Sequence, residues 1–464
     1  MSIPSRCLGS LGPRLRSVIL AFAPFLAPLV GPNRADAQQR SPSSSAQPAI
    51  SRVGHVIADD IARFWQAYDT VRALSDTLEQ IRAVQRLYID PGSPGLQGLI
   101  AVRRYSASEF ARAISAYPRY WQSIRTNTLR VAELSARITN GITAFQVLYP
   151  EGRPADVYFA IGVFRTPGTI HEGRVLIGAE LALADPQTVT TELPPRLTNL
   201  TSYVARDPIA QVVPLNVHEY VHTQQRDKEY RVLDMVLFEG IAEYLSVLAT
   251  GVPSAYAPLA YERAHRDTVR AVFARELVSE RAVDRWLYND ATNRFGMRDV
   301  GYAVGYEIAR RFVARSTVRR AAIRALVELD YAKPIDVARI VDASGYLTRP
   351  LAVLLEDLEA RRPTVTHVMS AQADSLSAIT RRLTLHFSVP MDTSTRGFDV
   401  GGRGEMYSMR VERLLGWSAD RRSMEIEVRL PALRPAQLVI SPRFENAEGG
   451  RLRQYLVEFP VPSR

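Results

Sequence analysis

Lysine and cysteine are nearly absent from this chain. Among 464 residues only Lys228 and Lys333 are lysines, and Cys7 is the sole cysteine. A lone thiol excludes an internal disulfide, so the fold must rest on an apolar core, which a 46% hydrophobic composition can supply. Cys7 also lies before the apolar run near the N-terminus, whereas a lipidated cysteine would follow it, so lipid anchoring there is not expected. With so little lysine, the formal charge of +10 is carried by arginine. The arginines are scattered and alternate with Asp and Glu, which argues against nucleic acid as a partner. No run after Gly31 is long and apolar enough to span a bilayer.

The first residues have the layout of a secretion signal. Arg6, Arg14 and Arg16 precede "SVILAFAPFLAPLVG", and "ADA" at 35–37 offers a small-residue cleavage site. A short apolar run broken by Pro24 and Pro28 suits a cleavable signal peptide over 1–37 better than an anchor. The expected location is therefore secreted or periplasmic, in a bacterium. Cleavage would remove four Arg and one Asp, lowering the charge from +10 to +7. The stretch "QQRSPSSSAQP" then reads as a flexible leader, placed at 38–52.

From about residue 53 to 146 the apolar period is helical. Ile57, Ile61, Phe64, Trp65 and Tyr68 recur at three- and four-residue spacing, and Ser106 with Glu109 forms a capping box. The period changes at "DVYFAIGVF" and "GRVLIGAELAL", two short apolar runs bounded by Gly and Pro. Both are expected as strands, paired antiparallel across "RTPGTIHE". Residues 209–250 and most of 254–359 return to helix. Beyond "RRPTVTH", strict alternation in "RLTLHFSVPMD" and "SMEIEVRL" predicts an all-β module over 363–464, a sandwich by strand count.

One stretch carries chemistry. "HEYVH" places His218 and His222 four apart, on one face of a helix, where both imidazoles can reach one metal ion. Glu219 follows the first histidine and can hold a water at an open coordination position. Downstream, "LDMVLFEGIAEYLSVLATG" is a second helix with Gly251 as its C-cap. It carries Glu239 and Glu243, again four apart, in mostly apolar company where a carboxylate needs a partner. Glu239 fits as the third ligand, and Glu243 as the acceptor of a ligand histidine's N–H. In "GYAVGYEIARRF" either Tyr302 or Tyr306 could steady an oxyanion, or both could simply pack the helix. His55, His171, His265, His367 and His386 have no ligand spacing among themselves. The strand at 176–183 is either a plain sheet strand or a candidate for pairing with substrate backbone, with Glu180 as a contact for the substrate's N-terminus.

These residues resemble the gluzincin group of zinc metallopeptidases, in which the third ligand is a glutamate on the following helix and an acid four residues later supports a histidine. Here Glu239 and Glu243 match that pattern. The chain is also similar to bacterial zinc-dependent proteases of the gliding-motility GldB-like type, through "HEYVHTQQ", "EGIAEYLSVLATG" and "GYAVGYEIARRF" in that order. Two departures stand out: Phe238 replaces the Asn of the aminopeptidase "NEG" segment, and the spacing from His222 to Glu239 is shorter. Tyr302-Ala-Val-Gly305 matches the Y-x-x-G that holds the oxyanion tyrosine in aminopeptidase N-like enzymes. "LTLHFSVPMDTS" resembles the opening of bacterial Ig-like domains.

The expectations are then definite. The fold class is α+β: a mostly helical zincin-like domain over 53–362 with a small antiparallel sheet, followed by an Ig-like β-sandwich. The expected function is a zinc peptidase, with Zn2+ held by His218, His222 and Glu239, Glu219 as general base, and Tyr302 at the oxyanion. Its expected partners are a peptide or protein substrate and, for the Ig-like module, a protein or cell-surface contact. The competing reading is a non-catalytic envelope protein that keeps the fold for structural or partner binding.

Overall fold

The computed structural model describes residues 54–197, 199–288, 294–371, 380–432 and 434–460. The signal peptide and leader expected from the sequence lie outside the described residues. The architecture is α+β, with helices over the larger N-terminal part and antiparallel strands toward the C-terminus. No described helix is long and apolar enough to cross a membrane.

The helical period of the first segment arises from a buried aromatic cluster. Phe64, from the helix Asp59–Ala73, meets Trp65, Tyr88, Phe110 and Trp121 edge-on or tilted, with ring centroids 5.1–6.4 Å apart. The capping box forms as read: Ser106 Oγ accepts the Glu109 N–H, and the Glu109 carboxylate accepts the Ser106 N–H.

A four-stranded sheet runs beside these helices. Its strands are β1 (Val56–Ile57), β2 (Val157–Ala160), β3 (Gly168–His171) and β4 (Arg174–Gly178), in the order β1-β2-β4-β3. The expected antiparallel pairing of the two apolar runs is not what forms: β2 and β4 are parallel. The antiparallel partner of β4 is β3, drawn from the spacer itself. The cause is a two-residue turn at Glu172 and Gly173, both at positive φ (47° and 72°), which closes a tight hairpin between His171 and Arg174. β4 thus slots between β2 and β3, and β3 is the sheet edge. The strand expected at 176–183 ends at Gly178, and Ala179–Ala182 is a helical turn.

The C-terminal strands are β5 (Val365–Ala371), β6 (Thr380–Phe387), β7 (Phe398–Asp399), β8 (Arg410–Trp417), β9 (Ser423–Arg429), β10 (Ala436–Ile440) and β11 (Tyr455–Phe459). They form two antiparallel sheets, β5-β6-β9-β8 and β11-β10-β7. The alternation read from sequence sends Leu383, Leu385, Met424, Ile426 and Val428 inward, where they share one apolar cluster with Leu438, Ile440 and Val457 of the other sheet. That cluster is separate from the helical core. Arg281–Asp392 and Arg451–Glu280 ion pairs tie the two parts together.

Candidate metal centre

Three helices build the site. The first, Val212–His222, is buried along most of its length, and its Val, Pro, Leu and Tyr residues carry Asn216, His218, Glu219 and His222 inward with them. The second, Val232–Thr250, is buried from Val232 to Ser246 and stops at Gly251, whose positive φ of 69° lets its N–H bond Val247 O. The third, Val300–Arg315, packs against the second. That approach is possible because two glycines meet: a Cβ on Gly305 would lie 1.9 Å from Val236 O, and one on Gly240 would lie 2.3 Å from Gly305 Cα. The Gly305 that ends the Y-x-x-G motif is thus what lets this helix carry Tyr302 to the site.

His218, His222 and Glu239 converge. Nε2 of His218 and Nε2 of His222 are 3.0 Å apart, and each lies 3.3–3.4 Å from Glu239 Oε2. All three side chains are buried. Tetrahedral zinc with ligands at 2.0–2.1 Å separates its donor atoms by roughly 3.3 Å. The observed spacings therefore fit one such ion.

The outer ring nitrogens fix the tautomers. His218 Nδ1 donates to Glu243 Oε2 at 3.1 Å, as the sequence suggested for Glu243. His222 Nδ1 donates to Gln225 Oε1 at 2.7 Å, and Gln225 is itself oriented by donating to Phe238 O at 3.1 Å. With both Nδ1 atoms carrying hydrogen, two Nε2 lone pairs aim at one point, which favours a cation between them. Burial alone would discourage charge on His218, but Glu239 and Glu243 outweigh it and raise its pKa to about 10. Burial opposes ionisation of Glu239 as well, yet His222 and His218 hold its carboxyl far below the usual range. Both shifts say that the pocket attracts positive charge.

Glu219 projects beside this set, with Gly168 at the start of β3 so near that a Cβ there would reach 2.5 Å from its Oε1. Burial raises its pKa, and Glu239 adds to that; His222, His218 and Arg103 pull the other way but do not cancel it. Tyr302 lines the same cleft, a cavity of about 1160 Å³, with its ring 6.1 Å from that of His218 and stacked on Tyr256 at 4.7 Å. Tyr306 does not reach the cleft and lines a different cavity with Tyr244.

The structure adds residues that sequence reasoning missed. Gln225 was legible in principle, three positions past His222 in "HEYVHTQQ". Phe238 stacks on His222 at 4.2 Å and 9°, which gives a packing reason for an aromatic before Glu239. Tyr288 donates to Glu239 Oε1 at 3.4 Å, so the two carboxylate oxygens divide between the histidines and a phenol. No local signal announces Tyr288. Glu180, offered by sequence as a substrate contact, is wholly buried and accepts the N–H groups of Gly162 and Phe164 instead.

Residues 200–330, which include all three helices, match the model of a family described as predicted Zn-dependent protease (DUF2268). No curated protein and no solved structure matches the chain.

Proposed function

We propose that this chain is a secreted zinc-dependent peptidase. The observation that carries this reading is the buried triangle of His218 Nε2, His222 Nε2 and Glu239 Oε2, at zinc-like spacing and with both outer nitrogens already engaged. The family description over residues 200–330 supports the coarser statement, a zinc peptidase. In the proposed mechanism His218, His222 and Glu239 hold the ion, which when bound supplies Lewis acidity toward a scissile carbonyl and toward water.

The remaining work falls to the chain. Glu219 accepts a proton from the attacking water and delivers it to the leaving amine, a role suited to a carboxylate whose pKa burial raises. Tyr302 donates its phenolic hydrogen to the developing oxyanion. Glu243 and Gln225 keep the ligand rings in the right tautomer, and Tyr288 restrains the free oxygen of Glu239. Substrate backbone adds to the open edge of β3, which borders both the cleft and Glu219. The GldB-like resemblance and the signal-peptide pattern at 1–37 support action outside the cytoplasm. The two-sheet C-terminal module, read as Ig-like, would contact a protein or cell-surface partner.

The test is Glu219→Gln. Hydrolysis of a peptide library should fall by about 10²–10⁴-fold while bound zinc, measured by metal analysis, stays near one per chain. A non-catalytic envelope protein would bind zinc equally in both forms and hydrolyse nothing in either.

A further inference from the structure

Arg103 stands out among the cations of the cleft. It is the last residue of the helix Pro94–Arg103 and borders the cleft together with Thr166, Gly168 and Glu219. One terminal nitrogen donates to Thr166 Oγ1 at 3.0 Å. Its Nε is buried and has no hydrogen-bond partner among the described residues. No carboxylate pairs with it there either, whereas its neighbours in the cleft wall are neutralised: Arg165 by Glu109 and Arg298 by Asp299. The acids of the cleft are also committed, Glu239 to both histidines and Glu243 to His218. Only Glu219 is left; it lines the same cleft as Arg103 and forms no ion pair with it. Exposed Arg206 and Lys228 line the same cleft. The balance of uncommitted charge is therefore positive.

A guanidinium that is partly withdrawn from water and lacks a counter-ion is a poor structural element. Its planar fork matches a carboxylate held by two parallel hydrogen bonds. Thr166 already fixes one arm of that fork and leaves donors unengaged. We propose that Arg103 is the specificity-determining residue of the cleft and selects substrates that present a carboxylate beside the bond to be cut. The inference rests on the peptidase reading above for its location and names that reading's substrate class. The carboxylate can come from an Asp or Glu side chain or from a free C-terminus. A purely supporting role, in which Arg103 only favours the ionised form of Glu219, would weaken turnover of every substrate alike.

The test uses the full chain and peptides that differ at one place: Asp, Asn or Lys flanking the scissile bond, each with a free or amidated C-terminus. Cleavage by zinc-loaded protein gives kcat/KM, and fluorescence anisotropy with chelator-treated protein gives affinity independently of activity. Carboxylate peptides should be favoured by about 10–100-fold over their amide counterparts, the range of hydrogen bonds to charged groups. Arg103→Gln should erase that preference, and Arg103→Glu should shift it toward Lys. If Asp carries the effect the source is a side chain; if the free terminus carries it, the source is the chain end. Equal affinity for acid and amide peptides in the native protein overturns the proposal. So does a preference that survives Arg103→Gln, or a loss in that variant that is uniform across peptides. A preference in binding with no cleavage of any peptide sinks the peptidase reading and leaves the carboxylate site standing.

Discussion

Nε2 of His218 and Nε2 of His222 face each other at 3.0 Å, and Glu239 Oε2 closes the triangle at 3.3–3.4 Å from both. An ion bound there stabilises the folded chain alone, because the unfolded chain cannot hold the three donors together. At a free concentration one hundred times Kd the gain is about 2.7 kcal/mol. Thermal unfolding of chelator-treated protein should therefore begin a few degrees lower than with zinc present. In His218→Ala the two curves should coincide. A zinc-dependent shift that survives this substitution would place the ion elsewhere.

Glu243 and Gln225 act through the rings they hold. Glu243→Leu should lower zinc affinity by about 10–100-fold without unfolding the chain. Glu243→Gln should cost less, since an amide oxygen still accepts the His218 N–H but brings no charge. Gln225→Leu should resemble Glu243→Leu, acting on His222. Competition with a chromogenic chelator reads all three, and unchanged affinity in Glu243→Leu would remove its role.

The ease with which each part could be read follows from how local its cause is. His218 and His222 lie one helical turn apart, so their shared face follows from period alone. Glu239 needed one further step, a turn and a returning helix, and the burial of both helices makes that step. The capping box at Ser106 and the cap at Gly251 are likewise local and form as read. Strand pairing is not local: β3 has only four residues, one of them buried, and its hairpin takes the antiparallel place beside β4 that the sequence offered β2, which pairs parallel on the other side of β4. Tyr288 reaches Glu239 across 49 positions, and Arg103 reaches the Glu219 side of the cleft from a helix more than a hundred residues earlier. Neither has a period or spacing to betray it.

Gly305 offers a test of the helix crossing. An alanine in a helix interior gains about 1 kcal/mol over glycine from propensity. Here its Cβ would meet Val236 O at 1.9 Å and Gly240 Cα at 2.9 Å, both backbone, so neither can swing aside. Overpacking should win, and Gly305→Ala should destabilise the chain by about 3 kcal/mol in denaturant unfolding. Peptide hydrolysis should fall as well, since Tyr302 and Glu239 sit on the two helices forced apart. Gly402→Ala, where an added Cβ meets nothing within 4 Å, serves as the control and should change stability by less than about 0.5 kcal/mol. Equal effects at the two sites would contradict the close crossing.

Glu180 gives the chain a pH dependence apart from the metal centre. Burial raises its pKa to about 7; the Gly162, Glu180 and Phe164 backbone N–H groups oppose that shift without cancelling it. In the unfolded chain it titrates near an ordinary glutamate, at about 4.3. The folded state therefore binds the proton more tightly. Its contribution to stability is fully present below the unfolded value and is lost as pH rises through 7. At 1.36 kcal/mol per unit the loss is about 3.5–4 kcal/mol. Other groups titrate in the same window, so the informative quantity is the difference between native protein and Glu180→Gln. The variant cannot ionise, but its amide can accept only one of the Gly162 and Phe164 N–H groups through its single carbonyl oxygen, so it should start less stable at pH 4.5. Its disadvantage should then shrink, and can reverse, toward pH 8. Urea midpoints at half-unit pH intervals measure this directly. Parallel curves for the two proteins would mean that Glu180 is ionised throughout and that its backbone donors outweigh burial.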